Sequence, residues 1–132
     1  MNFTRRVATA NDLEQTVALL RAQLEEHGQS PSGDDLEQAT RVLLVSPALG
    51  RVLLADEQGN AIGLAVLATT WTLERGGLAG WLDELYVAPG RRGIGVGAAL
   101  LDRAIAMARE MGVRAMEVEV AVDHSRAERL YQ

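Results

Sequence analysis

Apolar residues along this chain change their spacing several times, and each change marks a boundary between elements. Asn2 to Val7 reads as a short first strand. Leu13, Val17, Leu20 and Leu24 then recur at steps of three and four, the repeat of a helix with one buried stripe. Asn11 or Asp12 stands where a cap for its first turn is needed, and Gly28 ends it. The loop Gln29 to Gly33 follows, and Asp34 or Asp35 opens a second helix with Leu36, Leu43 and Leu44 facing the core, stopped before Pro47.

The spacing next shifts to that of strands. Gly50 to Ala55 and Ala61 to Trp71 flank the polar stretch Asp56 to Asn60, which reads as a hairpin turn. Both runs are nearly continuously apolar, so both faces of the sheet should be covered. Arg75-Gly76-Gly77 makes the next turn, and Leu78 to Val87 returns as a fourth strand. A helix from about Gly95 to Met111 is ended by Gly112. Val113 to Val122 holds a fifth strand, with Glu117 and Glu119 alternating against Met116, Val118 and Val120. Asp123 or Ser125 would cap a last short helix running to Gln132. The order is β-α-α-β-β-β-α-β-α, an α/β chain with a mixed sheet.

Within this order the segment Leu82 to Leu101, LDELYVAPGRRGIGVGAALL, stands out as strand, turn and helix start. The first backbone N–H groups of a helix have no partner within it, and the macrodipole adds partial positive charge there. Gly93, Gly95 and Gly97 let a ligand approach the backbone, and Arg91 and Arg92 add charge beside it, so the segment suits a phosphate. The P-loop pattern is absent, because all 13 basic residues are arginine. Gly93-Ile94-Gly95-Val96-Gly97-Ala98 does fit G-x-G-x-x-G/A. That dinucleotide fingerprint places its first glycine directly after the strand, however, whereas here Ala88 to Arg92 intervenes. Too little chain follows for a doubly wound sheet.

Composition narrows the field. With 132 residues, 48% hydrophobic and 23% charged, the chain has the make-up of one globular domain, residues 1 to 132. A formal charge of −5 argues against nucleic acid as a partner and suits a cationic one better. With no cysteine and only His27 and His124, neither a thiolate nucleophile nor a metal site is expected. The N-terminus lacks a signal-like apolar region and no run approaches a membrane span, so a cytoplasmic protein is expected.

The stretch Val87-Ala88-Pro89-Gly90-Arg91-Arg92-Gly93-Ile94-Gly95-Val96-Gly97 resembles the signature of the GNAT superfamily of N-acetyltransferases. The acyl-CoA pyrophosphate loop of that family reads [QR]-x-x-G-x-[GA], here Arg92, Gly95 and Gly97. The resemblance extends over nearly the whole chain and implies acetyl-CoA as co-substrate and an amine of a small molecule or protein as acceptor. It implies cofactor contacts from Arg91, Arg92, Gly93, Ile94, Gly95, Val96, Gly97 and Ala98, and from the backbone of Leu85, Tyr86 and Val87 to the pantetheine arm. The family continues after its fourth helix with a G-F pair and two more antiparallel strands, which this sequence lacks. Either the chain is truncated or it is a reduced member with an open strand edge. An open edge invites association, so a homodimer is expected.

Acetyl transfer also needs a base, because an alkyl ammonium has a pKa of about 10. Glu84, in the strand before the loop, lies where the resemblance places a catalytic or water-holding carboxylate; Asp83, on the opposite face by strand alternation, is the fallback. Glu84 equally suits a solvated strand end or an arginine partner. Ala127-Glu128-Arg129-Leu130-Tyr131 matches the family's A-x-x-L-Y pattern, which makes Tyr131 the proton donor to the leaving thiolate; otherwise it is a capping aromatic. His124 stands where the family favours an asparagine that bonds the pantetheine arm, and could donate similarly or be a plain surface residue. Trp71 and Trp81 are candidates for the acceptor wall, although aromatics on strands are usually core. A non-catalytic acyl-CoA-binding or dimeric interaction module is the alternative.

Overall fold

The computed structural model describes residues 2–29, 33–120 and 125–130, with backbone alone for the strand that ends it. Its strands are β1 (Thr4–Val7), β2 (Gly50–Glu57), β3 (Asn60–Thr72), β4 (Gly77–Val87), β5 (Ala115–Val120) and β6 (Ser125–Leu130). Its helices are α1 (Leu13–Glu26), α2 (Gly33–Leu44) and α3 (Val96–Glu110). The strands lie in sequence order in one sheet, antiparallel throughout except where β4 and β5 run parallel. A parallel pair needs a crossover, and α3 is that crossover.

Both faces of the sheet are covered, as the continuous apolar runs of β2 and β3 imply. On one face Leu53, Ala65, Leu67 and Leu82 pack against Val96, Leu100, Ala104 and Ala108, the i, i+4 stripe of α3. On the other Val52, Leu54, Leu64, Val66 and Tyr86 meet Leu19 and Leu20 of α1 and, further out, Leu36, Leu43 and Leu44 of α2. The β2–β3 turn is tight: Gln58 and Gly59 both take positive φ, 52° and 90°, and the Asp56 carboxylate accepts from the Gly59 N–H at 2.7 Å. Two positive-φ residues match the right-handed twist of the flanking strands.

Among the described residues the expected last helix is replaced by a strand, and this corrects the sequence reading. Ser125–Leu130 is an extended strand paired antiparallel with β5, from Ala115↔Leu130 to Val120↔Ser125. β5 meets β4 over only four residue pairs on its other side, and an open β5 edge is a row of unpaired backbone groups. The chain's return fills those groups. Local propensity favours a helix for R-A-E-R-L, and the ladder overrides it. His124 and Tyr131 lie outside the described residues.

One ion-pair cluster ties the N-terminal strand to the sheet. Arg6 donates to both oxygens of Asp12 at 2.8 Å and through Nε to Asp56 at 2.9 Å. Asp12, only 7% exposed, also accepts from the backbone N–H of Thr9, closing a capping box before α1. The guanidinium of Arg6 and these hydrogen bonds hold the Asp12 carboxyl down to about 2. A depressed carboxyl stabilises the fold above its unfolded pKa, and that contribution is lost as pH falls through the folded value. Arg6 is more than a third exposed and solvent screens the pair, so Asp12→Asn should cost about 1–2 kcal/mol at neutral pH. Urea midpoints recorded from pH 6 to pH 2 should converge for the two proteins between about pH 4 and pH 2; a constant gap across that range would contradict this role.

Candidate active site

Two irregularities in the sheet shape the site. Pairing of β4 with β5 runs from Ala79↔Ala115 to Leu82↔Val118 and stops, while β4 continues to Val87. Residues 83–87 of β4 therefore leave β5 and open a wedge beside it. The second irregularity is a bulge. Val66 faces Glu84 and Leu67 faces Leu82, so Asp83 is the extra residue. Without it Leu82 and Glu84 would share a face. With it, Leu82 packs toward α3, while Glu84 joins the face of Val66 and Tyr86 that α1 covers. The bulge also removes the simple alternation that would set Asp83 opposite Glu84. The exposed Asp83 carboxylate instead accepts from Trp81 Nε1 at 3.3 Å, and Trp81, facing Ala68, lies on the same side as Glu84.

The loop after β4 fits the approach of an anion. Gly93 has φ 81° and Gly95, the N-cap of α3, has φ 93°, both favouring glycine. No side chain caps the first turn of α3 and no acidic residue lies in it. A Cβ on Gly93 would meet nothing within 4 Å, so the loop's outer side is open. Gly97 lies against Val87, whose Cγ2 would be 3.6 Å from a Cβ there, bringing the helix end to the end of β4. Val96 is buried and anchors the turn, Ala98 lies in it, and Ile94 projects from the loop, partly exposed.

The two arginines are not free charges beside the loop. Arg91 holds Glu57 at 2.6 Å, which ties the loop to the β2–β3 turn. Arg92 turns back over β4: its Nη2 donates to Glu26 at 2.6 Å, its Nε donates to the Val87 carbonyl at 2.8 Å, and its guanidinium lies 5.4 Å from the centre of the Tyr86 ring. Tyr86, 7% exposed, donates its hydroxyl to the same Glu26 oxygen at 2.9 Å. The Arg92 bond, with help from Tyr86, lowers the Glu26 carboxyl pKa; burial, then Glu26, raises the Tyr86 phenol. These groups border a cleft of about 290 Å³ lined by Gln23, Glu26, His27, Leu85, Tyr86, Val87, Arg92 and Gly97.

The structure thus brings together Leu85, Tyr86, Val87, Arg92 and Gly97 around the cleft, with Glu84, half-buried, on the face of β4 that carries Tyr86. Trp71 is not among them. It pairs with Leu78 near the β3–β4 turn, is 72% exposed and lies on the face of the sheet opposite Trp81. Gln23, Glu26 and His27 were not singled out by spacing, and the partners of Glu26, Tyr86 and Arg92, lie 60 and 66 residues along the chain. One signal was available: α1 ends in Glu25 and Glu26 with no basic residue in its last turn, which opposes the helix dipole. Among the described residues no cluster of three acidic or histidine side chains could hold a metal ion, and no helix is long and apolar enough to cross a membrane.

A strand carrying a carboxylate, followed by a glycine loop at the start of the next helix, agrees with the sequence signature. The sequence model of the acetyltransferase (GNAT) family matches residues 13–132, and the chain belongs to that family. A curated relative from Archaeoglobus fulgidus, described as an uncharacterized N-acetyltransferase, is 33% identical over 81 residues, 61% of this chain; the match spans only 55% of that protein. Among solved structures, an integron cassette protein from the mobile metagenome of Cole Harbour Salt Marsh is 36% identical with a TM-score of 0.83, over 89% of this chain and 78% of that one. A predicted acetyltransferase from Clostridium acetobutylicum, solved with acetyl-CoA, shares the fold at 22% identity and a TM-score of 0.78, over 89% and 80% of the two chains.

The loop geometry has a direct consequence. A β-branched residue at Gly95 must enter a conformation that L-residues resist, at about 1–2 kcal/mol. Gly95→Val should lower the urea midpoint accordingly, whereas Gly95→Asn, which tolerates positive φ better, should lose less. Equal losses in both would indicate that φ is not the cause.

Proposed function

We propose that this chain is an acetyl-CoA-dependent N-acetyltransferase that passes the acetyl group to a primary amine of a small molecule or protein by direct attack. The observation that carries the reading is the parting of β4 from β5 immediately before a glycine loop at the N-terminus of α3, in a chain of the GNAT family. The acyl-CoA thioester would supply the activated acetyl group. The unpartnered N–H groups of Val96, Gly97 and Ala98 and the open backbone at Gly93 and Gly95 would take the pyrophosphate. The β4 edge at residues 85–87, which β5 does not pair, leaves backbone groups for the pantetheine arm and for the thioester carbonyl. The cofactor-bound Clostridium acetobutylicum structure supports the capacity of this fold for such a ligand.

In the reaction the amine nitrogen forms a bond to the carbonyl carbon as the carbon–sulfur bond breaks. Glu84 takes the amine proton, directly or through a water, and Tyr131 gives a proton to the departing thiolate. The bulge at Asp83 puts Glu84 on the face of β4 that carries Trp81 and Tyr86, which supports this role, and Trp81 would form part of the acceptor wall. His124 would bond the pantetheine arm. A cytoplasmic setting fits this chemistry.

Calorimetric titration with acetyl-CoA should give saturable binding with 1:1 stoichiometry; no heat at millimolar ligand would end the proposal. Glu84→Gln should cut thiol release on an amine panel by roughly 10²- to 10⁴-fold without weakening acetyl-CoA binding. Binding with no turnover on any amine would favour the non-catalytic acyl-CoA-binding module instead.

A homodimer is part of the same proposal. β6 covers β5 but becomes the outermost strand on that side, so the sheet still presents a backbone edge among the described residues. Light scattering at micromolar concentration should return twice the 14.2 kDa chain mass, and a monomer mass would refute it.

A further inference from the structure

The contacts of Arg92 describe a cation site. A guanidinium sits on one carboxylate, Glu26, donates to one carbonyl oxygen, Val87, and lies over one aromatic ring, Tyr86. Carboxylate, carbonyl and ring face are the three groups that recognise an alkyl ammonium. The same cleft is walled by Gln23, 6% exposed, whose buried Oε1 accepts no hydrogen bond. A buried acceptor without a donor is costly, and an arriving ammonium supplies the missing N–H. Arg92 directs its Nη2 to Glu26 and its Nε to Val87, and makes no bond to Gln23 Oε1.

Arg92 is also the arginine of the pyrophosphate loop, one residue before Gly93. A diphosphate at the α3 N-terminus competes with Glu26 for that guanidinium. When Arg92 turns to the diphosphate, the Val87 carbonyl is freed for the pantetheine arm, and Glu26, the Tyr86 ring and Gln23 Oε1 are left as the acceptor-rich side of the cleft of about 290 Å³. We infer that this cleft, between the end of α1 and β4, seats the protonated amine of the acceptor, with Glu26 as its counter-ion and Arg92 occupying its place until the cofactor binds. Glu26 is then a specificity residue, on the face of β4 that carries Glu84, and it selects cationic amines. Cofactor and amine binding become positively coupled, because the first ligand removes the internal competitor of the second.

The inference rests on the acetyl-transfer reading for the trigger, but the cation site can be tested without it. The probe is propylammonium, followed by NMR through the Tyr86 ring resonances, with 1-propanol as the neutral control. With saturating coenzyme A, wild type should bind propylammonium at least about fivefold more tightly than without it, the scale of one cation–π and ion-pair contact. Arg92→Ala should bind propylammonium with that tighter affinity and no coenzyme A. Glu26→Gln should lose saturable binding in both conditions, while Glu26→Asp retains part of it. Equal affinity in wild type and Glu26→Gln, no saturable binding to Arg92→Ala, or an equal response to 1-propanol would each overturn the site. If coenzyme A fails to bind wild type, the proposed function falls, and the Arg92→Ala arm still decides the cation site.

Discussion

Parallel strands that stop pairing halfway are uncommon because each abandoned backbone group must find another partner, and the parting of β4 from β5 after Leu82 is the constraint on which this structure turns. Upstream of it the two strands are tied into the sheet by β3 and by the packing of Leu67, Leu82, Val113 and Met116 beneath α3. Downstream, among the described residues, β4 pairs with β3 alone, and the Val87 carbonyl is taken by Arg92. The bulge at Asp83 falls at the same point, between the last paired residue and the free edge. It rotates the strand so that Glu84 and Tyr86 face α1 while Leu82 and Leu85 face α3. One extra residue thus falls where the sheet opens and sets which side chains of β4 face α1 and which face α3.

Much of this was legible in the sequence. The continuous apolar runs of β2 and β3, the polar hairpin at Asp56 to Asn60 and the helix between Gly95 and Gly112 are each marked locally, and each element formed where its marks lay. The glycine loop was legible because positive φ at Gly93 and Gly95 is a demand that residue type announces. Three things were not. The bulge depends on register between two strands, which no single strand encodes. The final strand replaces a segment of good helix formers, because a ladder partner outweighed propensity. The Glu26–Arg92 pair joins residues 66 apart, and only the acidic end of α1, set against its own dipole, hinted at it.

The loop is thereby held in place by its own cations. Arg91 reaches back to the β2–β3 turn and Arg92 reaches across β4 to α1, so the glycines between β4 and α3 are flexible in φ and yet fastened at their start. Preformed geometry lowers the ordering cost of taking up a ligand, and ion pairs near the surface are weak enough to be exchanged for a better anion. The arrangement reconciles a rigid helix terminus with arginines that can change partner.

Every cation in these contacts is a guanidinium. Arg6 on Asp12 and Asp56, Arg91 on Glu57, Arg92 on Glu26 and Arg103 on Glu110 are all arginines, in a chain with no lysine anywhere. A guanidinium stays protonated under all ordinary conditions and is a poor nucleophile, whereas a lysine amine reacts with thioesters even without a catalyst. A protein that keeps an activated acyl donor at its surface would, with lysines in these positions, slowly neutralise its own ion pairs. Built from arginine, its framework of charges is chemically inert toward the reagent it is proposed to hold.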